Sequence, residues 1–187
     1  MNFSFLLSLH PSRTGPPDQV FDLYQHLGFT TAPSIPLPVA EPGTIESSAS
    51  QEGMALGQEI GVTPLQMALA AAALSKNGAL PNPVLALAIK TPGQGWQAFG
   101  GSVPAIPALT SSSVISATRL LERPDAPIWE TVAVVHQPNR AYTWYLSGTL
   151  PFWQGSPLAL ALLLEEDNPV AAQNIGRQMI ESTLKPQ

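Results

Sequence analysis

The stretch from Thr63 to Gly78 constrains this chain more than any other. Thr63 suits the N-cap of a helix, Pro64 the first helical position, and Gln66 falls at N3, so Thr63 and Gln66 compose a capping box. Leu65 to Leu74 is built almost wholly of Leu, Met and Ala, which leaves no face for water. A helix apolar on every side has to lie inside the molecule. Gly78 stands where a left-handed C′ residue closes such a helix. The remaining elements must therefore supply layers that cover this helix.

Their pattern supplies such layers. Asn2 to Leu9 is compatible with a short helix, and Pro11 to Pro17 with a turn. Asp18 to Leu27 is amphipathic, with Val20, Phe21, Tyr24 and Leu27 on one face and Gly28 as terminator. Pro33, Pro36, Pro38 and Pro42 make Phe29 to Gly43 an extended segment, and Glu46 to Gly53 reads as a polar, mobile loop. Val84 to Lys90 reads as a strand, and Pro92 to Pro107 as turns. Thr110 caps a helix over 111–122, with Val114, Ile115, Ala117, Thr118 and Leu121 spaced for burial. Ile128 to Val135, Tyr142 to Ser147 and Leu158 to Glu165 are strand-like, with a turn at Gln137–Arg140. Asn168 and Pro169 open a terminal helix whose apolar side is Ala171, Ile175 and Met179. The result is one α+β domain over 1–187, with an antiparallel sheet of about three C-terminal strands packed against helices.

Composition narrows the partners. The 187 residues carry a formal charge of −5 with no basic cluster, which argues against nucleic acid. With no cysteine there is neither a disulfide framework nor thiolate chemistry. His10, His26 and His136 lack metal-ligand spacing, so neither a metal nor a cofactor is expected. Met1 to Leu9 is apolar but has no basic start and runs into Pro11, Ser12 and Arg13, so it reads as neither a signal peptide nor a membrane span. The Leu158–Leu164 run is only strand-length, and no transmembrane segment is expected elsewhere.

The wording of the central stretch resembles one family. Gly57-Gln58, then Val62-Thr-Pro-Leu-Gln-Met-Ala68, then Lys76-Asn-Gly78 is similar to the transpeptidase domain of penicillin-binding proteins, serine enzymes of bacterial cell-wall synthesis. Supporting matches are Leu23-Tyr-Gln-His-Leu-Gly-Phe29, Ser34-Ile-Pro-Leu-Pro38 with Glu41-Pro-Gly43, Trp144-Tyr-Leu-Ser-Gly148, and the last strand with its helix. The resemblance covers the family's C-terminal half and implies a partial transpeptidase-like fold. It implies a place outside the cytoplasmic membrane, although the sequence itself does not fix a location.

That family works with a Ser-x-x-Lys nucleophile and base, a Ser-x-Asn motif, and a Lys-Thr-Gly strand for the substrate carboxylate. No Ser-x-x-Lys precedes Gly57. Ser182-Thr-Leu-Lys185 matches the letters, but at the end of the terminal helix. Asn2, with Phe5, resembles the remnant of Ser-x-Asn. In Trp129-Glu-Thr-Val132, Thr131 can be retained while Glu130 stands for Lys and Val132 for Gly. This reverses a charge and adds bulk where a ligand would approach the backbone. Lys90-Thr-Pro-Gly93 reads as a strand end and turn. Catalytic remnants are thus Asn2, Glu130 and Thr131, with no motif intact.

Three readings follow. The first is a catalytically inactive transpeptidase-like domain with a structural or interaction role in peptidoglycan synthesis. The second is a split enzyme completed by another chain. The third is an unrelated small-ligand-binding α+β domain, with Glu165, Glu166 and Asp167 as an acid/base group. Under the first two, the Leu158–Glu165 strand has an open edge that a second copy, a partner chain or the N-terminal segment would cover.

Overall fold

The computed structural model describes residues 18–35, 41–46, 50–55, 57, 59–98 and 104–184. The expectations for Asn2–Leu9 and Pro11–Pro17, and part of the proline-rich segment, lie outside these residues. In chain order the helices are α1 (Asp18–His26), α2 (Gln51–Ala55), α3 (Pro64–Ser75), α4 (Ser111–Leu121) and α5 (Pro169–Leu184). The strands are β1 (Thr44–Ile45), β2 (Ile60–Gly61), β3 (Ala79–Leu80), β4 (Ala88–Thr91), β5 (Gly95–Ala98), β6 (Ile106–Pro107), β7 (Ile128–Gln137), β8 (Arg140–Thr149) and β9 (Ala159–Leu164).

The capping box forms at α3 as its sequence requires. Gln66 N–H donates to Thr63 Oγ1 at 3.2 Å, and Thr63 N–H donates to Gln66 Oε1 at 3.0 Å. The amide of Gln66 reaches further. Its Nε2 donates to the carbonyls of Gly28, Phe29 and Thr31 at 3.1, 2.9 and 3.3 Å. These three carbonyls belong to the turn that ends α1, where Phe29 N–H donates back to Tyr24 O and Gly28 N–H to Gln25 O. One buried side chain thus caps its own helix and pins the end of another. At the other end of α3 the left-handed C′ residue is Asn77, with φ +53°, and not Gly78 as expected. Gly78 follows at φ +93° and donates to Ala73 O, and a Cβ there would meet Leu109 O at 2.2 Å.

The sheet is antiparallel in the order β7-β8-β9, pairing Ile128 with Thr149 through Gln137 with Arg140, and Thr143 with Leu164 through Gly148 with Ala159. The two long strands outrun their expected ends because pairing continues into the tight turn at Pro138-Asn139. α3 lies against one face, where Trp144, Leu146, Ala159, Ala161 and Leu163 join Met67, Ala71 and Leu74 in the core. α5 covers the other face. Its buried residues are Ala172, Gly176 and Ile180, one position on from the expected Ala171, Ile175 and Met179. The Tyr145 ring causes this rotation: a Cβ on Gly176 would meet it at 2.2 Å, so the helix seats Gly176 over the ring.

Two expectations are corrected. Val84 to Lys90 is not one strand. Val84, Leu85 and Leu87 are exposed, and pairing starts at Ala88, in a hairpin with β5. Nor is Glu46–Gly53 simply a polar loop. α2 starts at Gln51 because Met54 is buried and its carbonyl accepts the Tyr24 hydroxyl at 2.6 Å, while Ser50 Oγ accepts Gly53 N–H at 2.9 Å.

Candidate functional site

β7 begins in the interior, and successive side chains point to opposite faces. Trp129 faces α3: its indole N–H donates to Ser75 Oγ at 3.1 Å. Its cross-strand partner is Gly148. A Cβ on Gly148 would lie 2.2 Å from Ser75 Oγ and 2.9 Å from Leu158 O, so the end of α3 and the Trp129 indole occupy the space over this glycine.

Glu130 faces α5. Arg177 Nε donates to both carboxylate oxygens, at 3.1 and 2.9 Å, and Arg177 Nη2 donates to Oε1. The Tyr145 hydroxyl donates at 3.0 Å and Gln173 Nε2 at 3.2 Å. The Glu130 side chain is 11 % exposed. Burial alone would raise its pKa, but the hydrogen bonds from Arg177, Tyr145 and Gln173 outweigh this and hold it below the usual carboxylate range. Burial pushes the Tyr145 phenol up to about 12, so it remains a donor at neutral pH. The bond to Glu130 raises Arg177. A carboxylate so surrounded is a poor proton acceptor and has little capacity left for a ligand.

Thr131 is half-buried and belongs to the Trp129 face, so the sheet does not bring Glu130 and Thr131 together. Asn2 lies outside the described residues. Ser182 is exposed in the last turn of α5, its hydroxyl donating to Met179 O at 2.8 Å. Lys90 to Gly93 is the end of β4 and its turn, with Gly93 at φ +82°. Asp167 pairs with His136 at 2.9 Å, both exposed, and the Glu166 carboxylate accepts Asn168 Nδ2 at 3.2 Å. Among the described residues no three His, Cys, Asp or Glu side chains gather as a metal site.

The sequence reading missed Arg177, Gln173 and Tyr145. The Gln173/Arg177 spacing of four places both on one helix face, which was a usable signal. Only the strand register sets that face opposite Glu130. Two grooves lie among the described residues. One of about 460 Å³ lies between the end of α1 and β3/β6, bordered by His26, Pro33, Leu69, Leu80, Pro83 and Ile106. The other, about 340 Å³, runs between the start of β9 and Met179, Ile180 and Thr183 of α5.

Comparison with known proteins agrees with this architecture. The family model described as the penicillin binding protein transpeptidase domain matches residues 9–118. A search of curated proteins finds no match. Among solved structures, the chain is similar to penicillin-binding protein 3 from Mycobacterium tuberculosis complexed with aztreonam, at 15 % identity and TM-score 0.72, over 98 % of this chain and 50 % of that one. It is similar to penicillin-binding protein A from M. tuberculosis, an imipenem acyl-enzyme complex, at 20 % identity and TM-score 0.70, over 88 % of this chain and 41 % of that one. It is also similar to the D,D-transpeptidase domain of a peptidoglycan glycosyltransferase from Eggerthella lenta, at 15 % identity and TM-score 0.71, over 90 % and 48 %. The chain spans about half the length of the solved structures it matches.

Proposed function

The chain belongs to the penicillin-binding protein transpeptidase family, and on that premise we propose that it is a catalytically inactive transpeptidase-like domain with a structural or interaction role in peptidoglycan synthesis. Family membership overturns the reading of an unrelated small-ligand domain. The observation that carries the proposal is the state of β7. The family resemblance puts a substrate-binding Lys at Glu130. That position holds a carboxylate, turned under α5 and enclosed by Arg177, Tyr145 and Gln173. Val132 adds a branched side chain at the next motif position but one, where the family has Gly. A site of opposite charge, spent on an internal ion pair, does not attract a carboxylate substrate.

Interaction is supported by the outer edge of β9. Among the described residues no strand pairs with it. Helices cover both faces of its Ala-Leu-Ala-Leu-Leu-Leu sequence, and it carries no charge or proline to block pairing. This edge is the place for a strand from a second copy or a partner chain. It also favours one alternative, in which the partner brings the nucleophile and completes a split enzyme.

Labelling with fluorescent penicillin tests the proposal. The purified chain should take up no covalent label. Stoichiometric labelling of the chain alone would overturn it, and labelling only of a co-purifying partner would support the split arrangement.

A further inference from the structure

The outer edge of β9 presents a defined set of free backbone groups. Thr149 N–H donates to Leu158 O at 3.0 Å, one step beyond the Gly148–Ala159 pair that ends the β8–β9 register. Hydrogen-bonded positions alternate along an antiparallel ladder, so Leu158, Leu160, Leu162 and Leu164 direct their carbonyls and amides at β8. Ala159, Ala161 and Leu163 direct theirs outward, where no described strand lies. Side chains divide in the same way. Ala159, Ala161 and Leu163 pack against the core around α3, and the even-numbered leucines face α5. On the α5 side the groove of about 340 Å³ opens beside the start of β9, bordered by Leu158, Leu160, Met179 and Thr183. Met179 is 48 % exposed there.

We propose that a second copy of this chain occupies this edge, its β9 pairing antiparallel with β9 about a two-fold axis at Ala161. The proposal deepens the interaction role given above and rests on that role. The edge is its own complement, as a two-fold contact requires. With Ala161 opposite Ala161, Ala159 falls opposite Leu163 of the second copy, and Leu163 opposite its Ala159. Every outward amide and carbonyl of these residues then meets a partner, and the smaller side chain meets the larger. A slip of one residue would set outward groups against residues whose own are spent on β8. A slip of two would bring into the ladder either Pro157, which has no N–H, or the exposed Glu165. The same register lays Leu162 and Leu164 of the second copy beside Leu160 and Leu158, at the α5-side groove. Glu165 falls opposite Pro157, so the two Glu165–Asp167 runs stand about 27 Å apart along the strands. That exceeds the screening length of about 8–10 Å, whereas parallel pairing would set these acidic runs side by side.

Single introduced cysteines test this, because the chain has none of its own. Paired residues at the two-fold axis stand about 5.5 Å apart between Cα atoms, within the range a disulfide spans. Under mild oxidation the purified Ala161→Cys chain should cross-link to itself, doubling its mass from 19.8 kDa. Ala159→Cys alone should give little or no dimer, since its counterpart lies opposite position 163. A mixture of Ala159→Cys and Leu163→Cys chains should cross-link between the two. Sedimentation equilibrium of the wild-type chain should show twice the monomer mass at high concentration, and unchanged thermal midpoints confirm that the variants fold. A wild-type chain that stays monomeric at about 100 μM, a millimolar-range ceiling for any useful contact, would overturn the proposal. So would a dimer in which Ala159→Cys cross-links to itself as readily as Ala161→Cys, or one in which neither does. The penicillin label reads a different property. A chain that takes the label yet cross-links through Ala161→Cys overturns the inactive reading alone, and an unlabelled monomer overturns the pairing alone.

Discussion

Arg177 of α5 closes on Glu130 of β7 with Nε at 2.9 Å from Oε2, across the face of the sheet opposite the central helix. The strand that most resembles a substrate-binding element is thereby tied to the terminal helix. Glu130→Gln should lower stability by about 1–2 kcal/mol, a figure kept small because the Arg177 side chain is a third open to solvent. Chemical denaturation of the two proteins at pH 7 measures it.

The same pair sets an acid dependence. The folded-state pKa of Glu130 lies below the ordinary glutamate value, held down by Arg177, Tyr145 and Gln173 against the opposing effect of burial. Its stabilising contribution is therefore complete above that value and is lost as the pH falls through the depressed folded value. The stability gap between wild type and Glu130→Gln should narrow below about pH 4, as the carboxylate takes up a proton. A gap unchanged between pH 7 and pH 3 would show that the ionised form gives no stabilisation.

Gln66 is the hub between α1 and α3. Gln66→Glu keeps the shape and the capping acceptor but replaces the amide donor that serves Gly28, Phe29 and Thr31. Facing three carbonyls with a carboxylate should cost about 2–3 kcal/mol and lower the thermal midpoint by roughly 5–10 °C. Calorimetry reads this directly.

Much of this was legible in the sequence. The capping box, the all-round apolar helix, the three C-terminal strands and the Asn168 cap are local signals, and each forms as expected. What escaped depends on close tertiary contact. The buried side of α5 is turned by one residue because Gly176 sits on the Tyr145 ring. The Val84–Lys90 strand gave way to a protruding hairpin because apolar composition alone does not tell a buried strand from an exposed arm. At the candidate site, Glu130 was found but its direction was not, because Arg177 lies 47 residues away in the chain.

Gly148 tests the contact between sheet and central helix. Gly148→Ala should destabilise by several kcal/mol, roughly 2–4, as overpacking against Ser75 Oγ and Leu158 O. Ser75→Ala in the same chain should recover only part of the loss, because the backbone carbonyl of Leu158 stays in place. Full recovery would mean that Ser75 is the sole obstacle. Thermal unfolding of the single and double variants separates the outcomes.

Asn77 tests the end of α3. With φ at +53° it holds a conformation that glycine adopts without strain. Asn77→Gly should be neutral or slightly stabilising, and Asn77→Val should cost about 1–2 kcal/mol. Equal midpoints for both variants would contradict the assignment of the C′ residue.

The central claim is that the β7 carboxylate belongs to the fold and not to a substrate site. A double-mutant cycle of Glu130→Gln and Arg177→Met, read as unfolding free energies at neutral pH, tests it most directly. The predicted coupling is about 1 kcal/mol or more, with Arg177→Met already relieving most of what Glu130→Gln removes. Additivity of the two substitutions within about 0.3–0.5 kcal/mol would contradict the claim.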